Sequence, residues 1–246
     1  MKSLIKKVLL LITLAPLTVF ASGAGVHLDK APVNLNDRLS LQRGAKVFVN
    51  YCLNCHSAGY MRYSRLQDDL GLTEEQVKKN LLFAGEKVGE TMTVAMNKKD
   101  AKEWFGATPP DLTVISRARG DDWLYTYLRG FYRDDTRATG WNNTVFDKVG
   151  MPHVLYQLQG EQRLKVEHVG APSEKHEVKT LELVKPGSMT KTEYNAMVGD
   201  LVNYLAYMGE PAKTTRMQLG IVVLLFLSVF FVVAYYLKKE YWKDIH

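Results

Sequence analysis

Cys52-Leu53-Asn54-Cys55-His56 is a C-x-x-C-H run, and these five residues decide how the rest of the chain is read. Two cysteines three positions apart lie about one helical turn from each other. That spacing lets both thiols add to the two vinyl groups of one haem while the next residue turns an imidazole under the iron, so the run predicts one covalently bound haem c. Competing readings fail elsewhere in the chain. A structural zinc site draws on four ligands, usually with a second Cys or His pair, yet Cys52 and Cys55 are the only cysteines. A thioredoxin-like redox pair needs a βαβ context that the pattern does not supply.

Working outward, each end of the chain carries an apolar segment. Lys2, Lys6 and Lys7 precede an uncharged run over 8–20, followed by Ala21, Ser22, Gly23 and Ala24. This predicts a signal peptide over 1–21 and hence an exported domain. Residues 217–237, MQLGIVVLLFLSVFFVVAYYL, contain no charge, and at ~1.5 Å per residue they cover the ~30 Å hydrocarbon core. Tyr235 and Tyr236, then Lys238, Lys239, Tyr241, Trp242 and Lys243, give an aromatic belt and a basic flank on the cytoplasmic side. The expected organisation is a haem domain over 22–215 in the bacterial periplasm, one inner-membrane helix over 217–237, and a cytoplasmic tail over 238–246 too short to fold alone.

The chain is formally +6. Without the three leader lysines and the net single positive charge of the tail, the exported part is about +2, too small an excess to imply nucleic acid or an anionic surface as partner. Acidic pairs at Asp68-Asp69, Glu74-Glu75, Asp121-Asp122 and Asp134-Asp135 read as solvated surface, with a docking face for a basic redox partner as the alternative.

Within the domain, the spacing predicts a helix over 37–50, with Leu39, Leu41, Ala45, Val47 and Phe48 as its apolar face, running directly into Cys52. Thr190 and Glu193 form a capping box before a second helix, with Met197, Leu201, Tyr204, Leu205 and Met208 on one face and Gly209-Glu210-Pro211 as its stop. Residues 73–80 and 121–131 read as helices, while Gly106, Pro109, Pro110 and Gly120 mark loops. Alternation over 154–183 around Gly170-Ala171-Pro172-Ser173 predicts an inserted β-hairpin. The fold class is therefore mainly α, a c-type haem domain with an inserted hairpin and one C-terminal transmembrane helix.

His56 supplies one axial ligand, and the opposite one separates electron transfer from chemistry at an open iron. Met61 is too close in sequence, Met197 and Met208 belong to a helix face, Met189 adjoins a cap, and Met92 and Met96 read as core. Met151 stands in Lys148-Val149-Gly150-Met151-Pro152, where glycine permits close backbone approach and proline stiffens the segment. It is the candidate ligand, and His153, otherwise a surface or supporting residue, is its nearest rival. His with Met fills the iron's coordination and raises its potential. The expectation is outer-sphere transfer of single electrons with no bond chemistry, so His27, His168 and His176 receive no role.

The helix running into Tyr51-Cys52-Leu53-Asn54-Cys55-His56, the stretch Pro109-Pro110-Asp111-Leu112-Thr113-Val114-Ile115-Ser116-Arg117-Ala118-Arg119, and Gly150-Met151-Pro152 together resemble cytochrome c1, the haem subunit of ubiquinol:cytochrome c oxidoreductase. A haem-domain helix passing almost directly into one anchor with a short basic tail is also the family's arrangement. The resemblance implies that Pro110 and Arg119 are haem contacts, Arg119 pairing with a propionate. It also implies cytochrome b, a Rieske iron-sulfur protein and a cytochrome c acceptor as partners in a dimeric complex. His153 directly after Met151-Pro152, and the short Gly120-Asp121-Asp122 turn before Trp123, depart from the mitochondrial form and leave the roles of Trp123 and Tyr127 open. Competing functions are a haem peroxidase, the cytochrome subunit of a periplasmic dehydrogenase, or a free-standing anchored carrier. One C-x-x-C-H speaks against the first, and the length of the domain against the last.

Overall fold

The computed structural model describes residues 26–169 and 176–244, so the leader at 1–21 and the hairpin turn at Gly170-Ala171-Pro172-Ser173 lie outside the described residues. Helix α1 (Arg38–Val47) starts where the Asp37 carboxylate accepts the Ser40 N–H at 3.0 Å. Leu41, Ala45 and Phe48 face the core, but Leu39 is 65% exposed, because the helix turns it nearly opposite the buried Ser40, Leu41, Gly44 and Ala45. The partner of α1 is α8 (Lys191–Gly209), opened by the capping box of Thr190 with Glu193. Gly44 marks the crossing: a Cβ there would stand 2.7 Å from Tyr204 Cβ and press on the Asp200 carbonyl, so the two backbones touch only because the side chain is absent. The buried Asn203 amide clips the same ends together, donating to the Asn34 carbonyl and to Ser40 Oγ, both at 2.9 Å.

Short elements fill the middle: α2 (Ser64–Asp68), α3 (Glu74–Asn80), α4 (Lys98–Phe105), α5 (Ile115–Arg119), α6 (Asp121–Arg129) and α7 (Tyr156–Gln159). Two small antiparallel pairs accompany them, β1 (Ala58–Arg62) with β2 (Thr91–Met92), and β3 (Phe131–Arg133) with β4 (Trp141–Asn143). The inserted hairpin is β5 (Gly160–Val169) paired with β6 (His176–Pro186). It begins later than the alternation suggests, since 156–159 form a helical turn, and β5 packs on β3. The core runs between α1 and α8 through Phe48, Tyr63, Met92, Tyr194, Leu201 and Tyr204.

Finally α9 (Lys213–Tyr241) is one helix of 29 residues, exposed along its apolar stretch and long and apolar enough to cross a membrane. Only Glu210, Pro211 and Ala212 separate it from α8.

Candidate haem-binding site

One apolar cavity, about 1270 Å³ including its mouth, opens between α5, α6, α8 and two loops. Cys52, Cys55, His56, Pro110, Arg119 and Met151 all line it, so the structure brings every sequence-derived candidate to one place. Leu201 and Leu205 from α8, with Leu124 and Leu128 from α6, contribute apolar wall. Its mostly apolar lining with a few converging polar groups suits a large, mostly apolar group held by a few polar contacts.

The attachment run is shaped locally. After α1 the chain widens into a π-helical turn (Phe48–Cys52), closed by Leu53 N–H donating to the Phe48 carbonyl at 3.0 Å. Such turns displace the following residues from the ordinary helical register. The Cys52 carbonyl then accepts from both Cys55 N–H, at 3.0 Å, and His56 N–H, at 2.8 Å, folding the run into a tight loop. Cys52 is buried and Cys55 half-buried, and neither is in a disulfide. Desolvation pushes the Cys52 thiol up to about 12 and raises Cys55 as well. That is opposite to the depressed thiol of a redox-active pair.

His56 Nδ1–H donates to the Pro110 carbonyl at 2.8 Å. This bond fixes the tautomer with Nε2 unprotonated, as a metal ligand requires. Burial lowers the His56 pKa, outweighing the opposing pull of Pro110 and Asp111, so the ring is kept neutral. The Pro110 segment is itself pinned. Asp111 Oδ2 accepts from Gly59 N–H at 2.7 Å, Asp111 Oδ1 from Thr113 N–H at 2.8 Å, and Leu112 N–H donates to Ser57 O at 2.8 Å. Sequence reasoning placed Pro110 at the cofactor; the structure adds that its carbonyl orients the imidazole.

The Met151 loop is held by distant residues instead. Buried Asn142 donates to Asp134 at 2.9 Å and Asp147 at 3.0 Å, while its carbonyl accepts the Lys148 N–H at 2.9 Å. Lys148 has φ +58°, in the left-handed region. At Gly150 a Cβ would stand 2.8 Å from the Phe105 carbonyl oxygen, so the close approach needs glycine. Tyr127 Oη donates to Met151 Sδ at 3.4 Å. Burial raises the Tyr127 pKa, so the phenol stays protonated and able to donate. Of the two settings its place beside proline suggested, surface or supporting, His153 does not occupy the surface one. It is 3% exposed, stacked on Phe131 at 4.8 Å and edge-on to Trp141 at 5.0 Å, and it does not line the cavity. Desolvation draws its pKa down to about 4, and although Gln159 pulls the other way, Gln159 Oε1 completes no hydrogen bond to Nε2.

Trp123 and Tyr127, left open by the sequence, both line the cavity. They continue a ladder on one face of α5 and α6. The Arg119 guanidinium lies 5.1 Å from the Trp123 ring and 5.8 Å from that of Phe146, Trp123 stacks on Tyr127 at 4.7 Å, and Tyr127 meets Phe131 edge-on at 5.1 Å. The i, i+4 spacing of 119, 123, 127 and 131 was the available signal. Among the described residues, Arg119 has no carboxylate within 4 Å, so its charge is open to an anionic group in the cavity. Several acidic residues are not free surface: Asp69 accepts from Tyr207 Oη, Asp121 from Ser116 Oγ, Asp122 from the Ala31 N–H and Asp134 from Asn142. A half-buried histidine with a free Nε2, a methionine on a shaped loop, paired cysteines and an unpaired guanidinium in an apolar cavity fit a haem.

The family model described as the Cytochrome C1 family matches residues 29–245. Similar proteins include "Ammonia monooxygenase gamma subunit" of Nitrosomonas europaea, 54% identical over 99% of both chains. "Cytochrome c1" of Allochromatium vinosum is 52% identical over 95% of this chain and 96% of its own. "Cytochrome b/c1" of Bradyrhizobium diazoefficiens is 28% identical over 87% of this chain but only 34% of its own length.

Proposed function

This chain belongs to the cytochrome c1 family, and from that premise we propose that it relays single electrons from a Rieske iron-sulfur protein to a cytochrome c acceptor, beside cytochrome b in a dimeric quinol:cytochrome c reductase. As a family member it is a membrane-anchored haem electron carrier, and α9 fits the anchor. The observation that supports a haem carrier is one apolar cavity lined at once by Cys52, Cys55, His56 and Met151, and the partners follow from membership of the family. When bound there, the haem supplies reversible one-electron exchange. Cys52 and Cys55 would tether it through thioethers, His56 and Met151 would ligate its iron, and Arg119 would pair with a propionate. Pro110 holds the imidazole, and the apolar walls exclude water. With His56 and Met151 both held for the iron, electron exchange would need no acid, base or bond-making residue, and the chain would act as an electron-transfer subunit.

The relative named "Cytochrome b/c1" supports cytochrome b as neighbour, since a chain about three times as long carries both names. The charge pattern of the anchor supports an inner-membrane helix with the haem domain in the periplasm, delivered there by the leader at 1–21. Native electrophoresis of membranes with haem staining, followed by identification of co-migrating chains, tests the assignment. Cytochrome b and a Rieske protein are expected in the stained band. A second reading, an electron-carrying subunit of an ammonia-oxidising enzyme, rests on the name of the Nitrosomonas relative. Co-migration with such an enzyme's chains, and not with cytochrome b, would establish it instead.

A further inference from the structure

The contact between Tyr127 and Met151 has a defined geometry. Tyr127 is 9% exposed, and its ring is clamped by Trp123 on one face and by the edge contact with Phe131. Among the described residues its hydroxyl has one hydrogen-bond partner, the sulfur of Met151 at 3.4 Å. A thioether sulfur has two lone pairs. A donor locked on one of them leaves the other for a ligand bond, and so selects one of the two configurations that a coordinated methionine can adopt. The same donor withdraws electron density from sulfur, weakening its donation most where a metal is most electron-poor, that is, in the oxidised state.

We propose that Tyr127 is a positioning residue for Met151, fixing which sulfur lone pair enters the cavity and raising the midpoint potential of the bound haem. This rests on the reading of Met151 as axial ligand. Other residues do not duplicate the function: Arg119 and Trp123 lie on the ladder but offer no donor to the sulfur, and His153 is turned away between Phe131 and Trp141.

The experiment is a double-mutant cycle on the full-length haem-loaded protein, read by redox titration. Tyr127→Phe removes one oxygen and keeps the ring. It is expected to lower the midpoint potential by less than Met151→Leu does, and to produce no further fall in the Met151→Leu background. Tyr194→Phe, which removes a buried hydroxyl bonded instead to the Leu128 carbonyl at 2.9 Å, is expected to leave the potential unchanged. An unshifted potential in Tyr127→Phe, or an equal fall with Leu at 151, overturns the proposal while leaving the axial assignment in place. A Met151→Leu protein with wild-type potential and spectrum overturns the axial assignment itself, and the proposal with it. If Tyr127→Phe fails to retain haem, magnetic resonance of the reduced wild-type protein decides. An exchange-protected Tyr127 hydroxyl proton close to the Met151 methyl is expected, and its absence refutes the proposal.

Discussion

The two walls of the cavity that carry the candidate ligands are built by opposite means. The attachment run has a locally made backbone, folded by hydrogen bonds spanning no more than five residues at the end of a helix that the core already holds, and only the His56 imidazole is fixed from farther away, by the Pro110 carbonyl. The Met151 loop has no regular structure of its own. It is positioned from outside, by Asn142 on Lys148, the Phe105 backbone against Gly150, Tyr127 on the sulfur, and the Phe131 and Trp141 rings around His153. The first wall is specified by a motif; the second depends on tertiary packing, so its failures should appear as graded changes in potential and stability rather than as loss of the cofactor.

The comparison is broken most completely on the attachment side. Replacing both Cys52 and Cys55 by Ala should abolish covalent haem, read as loss of haem stain after denaturing electrophoresis, and each single variant should weaken it. Retained stain in the double variant would remove the basis of the site. On the other wall, Met151→Leu should keep the covalent haem but lower the midpoint potential strongly and let an added ligand bind the oxidised protein, because the volume is kept and the sulfur lost. If Met92→Leu or Met96→Leu has that effect instead, the loop is not the ligand wall.

Smaller effects sharpen the contrast. His153→Ala empties the slot between Phe131 and Trp141 and should cost about 2–4 kcal/mol in denaturant unfolding, with a change in potential because the loop loosens. Gly44→Ala forces the α1–α8 crossing apart and should cost about 1–3 kcal/mol, with little change in potential, since the attachment run is locally made. Equal shifts of potential in these two variants would erase the distinction. The least effect is expected from Lys148→Gly, which accommodates the left-handed backbone and should change stability by less than about 1 kcal/mol.

What could be read without the structure followed the same division. The C-x-x-C-H run, the Thr190 capping box and the uncharged stretch before Lys238 are legible because their physics lies within a few residues or one helix. Met151 stood out only because Gly150 and Pro152 flank it. Nothing adjacent in sequence announces that Tyr127 reaches its sulfur, that His153 is buried, or that Asn142 holds Lys148, for these pairs meet only after α6, β3 and β4 have packed. Leu39 shows the limit of the pattern within one helix: it is apolar, yet it stands nearly opposite the buried face of Ser40, Leu41, Gly44 and Ala45.

The three residues between α8 and α9 limit how the molecule can move. Even fully extended, three residues give only about 10 Å of play, and here Arg216 Nε also grips Glu210 at 2.5 Å across the joint. With α9 in a membrane, so short a leash would hold the candidate haem cavity close to the membrane surface and limit the lateral space it samples. Any gap between donor and acceptor wider than that must be crossed by the partners, so this chain would serve as a fixed relay point and the search for contact would fall to whatever docks on it.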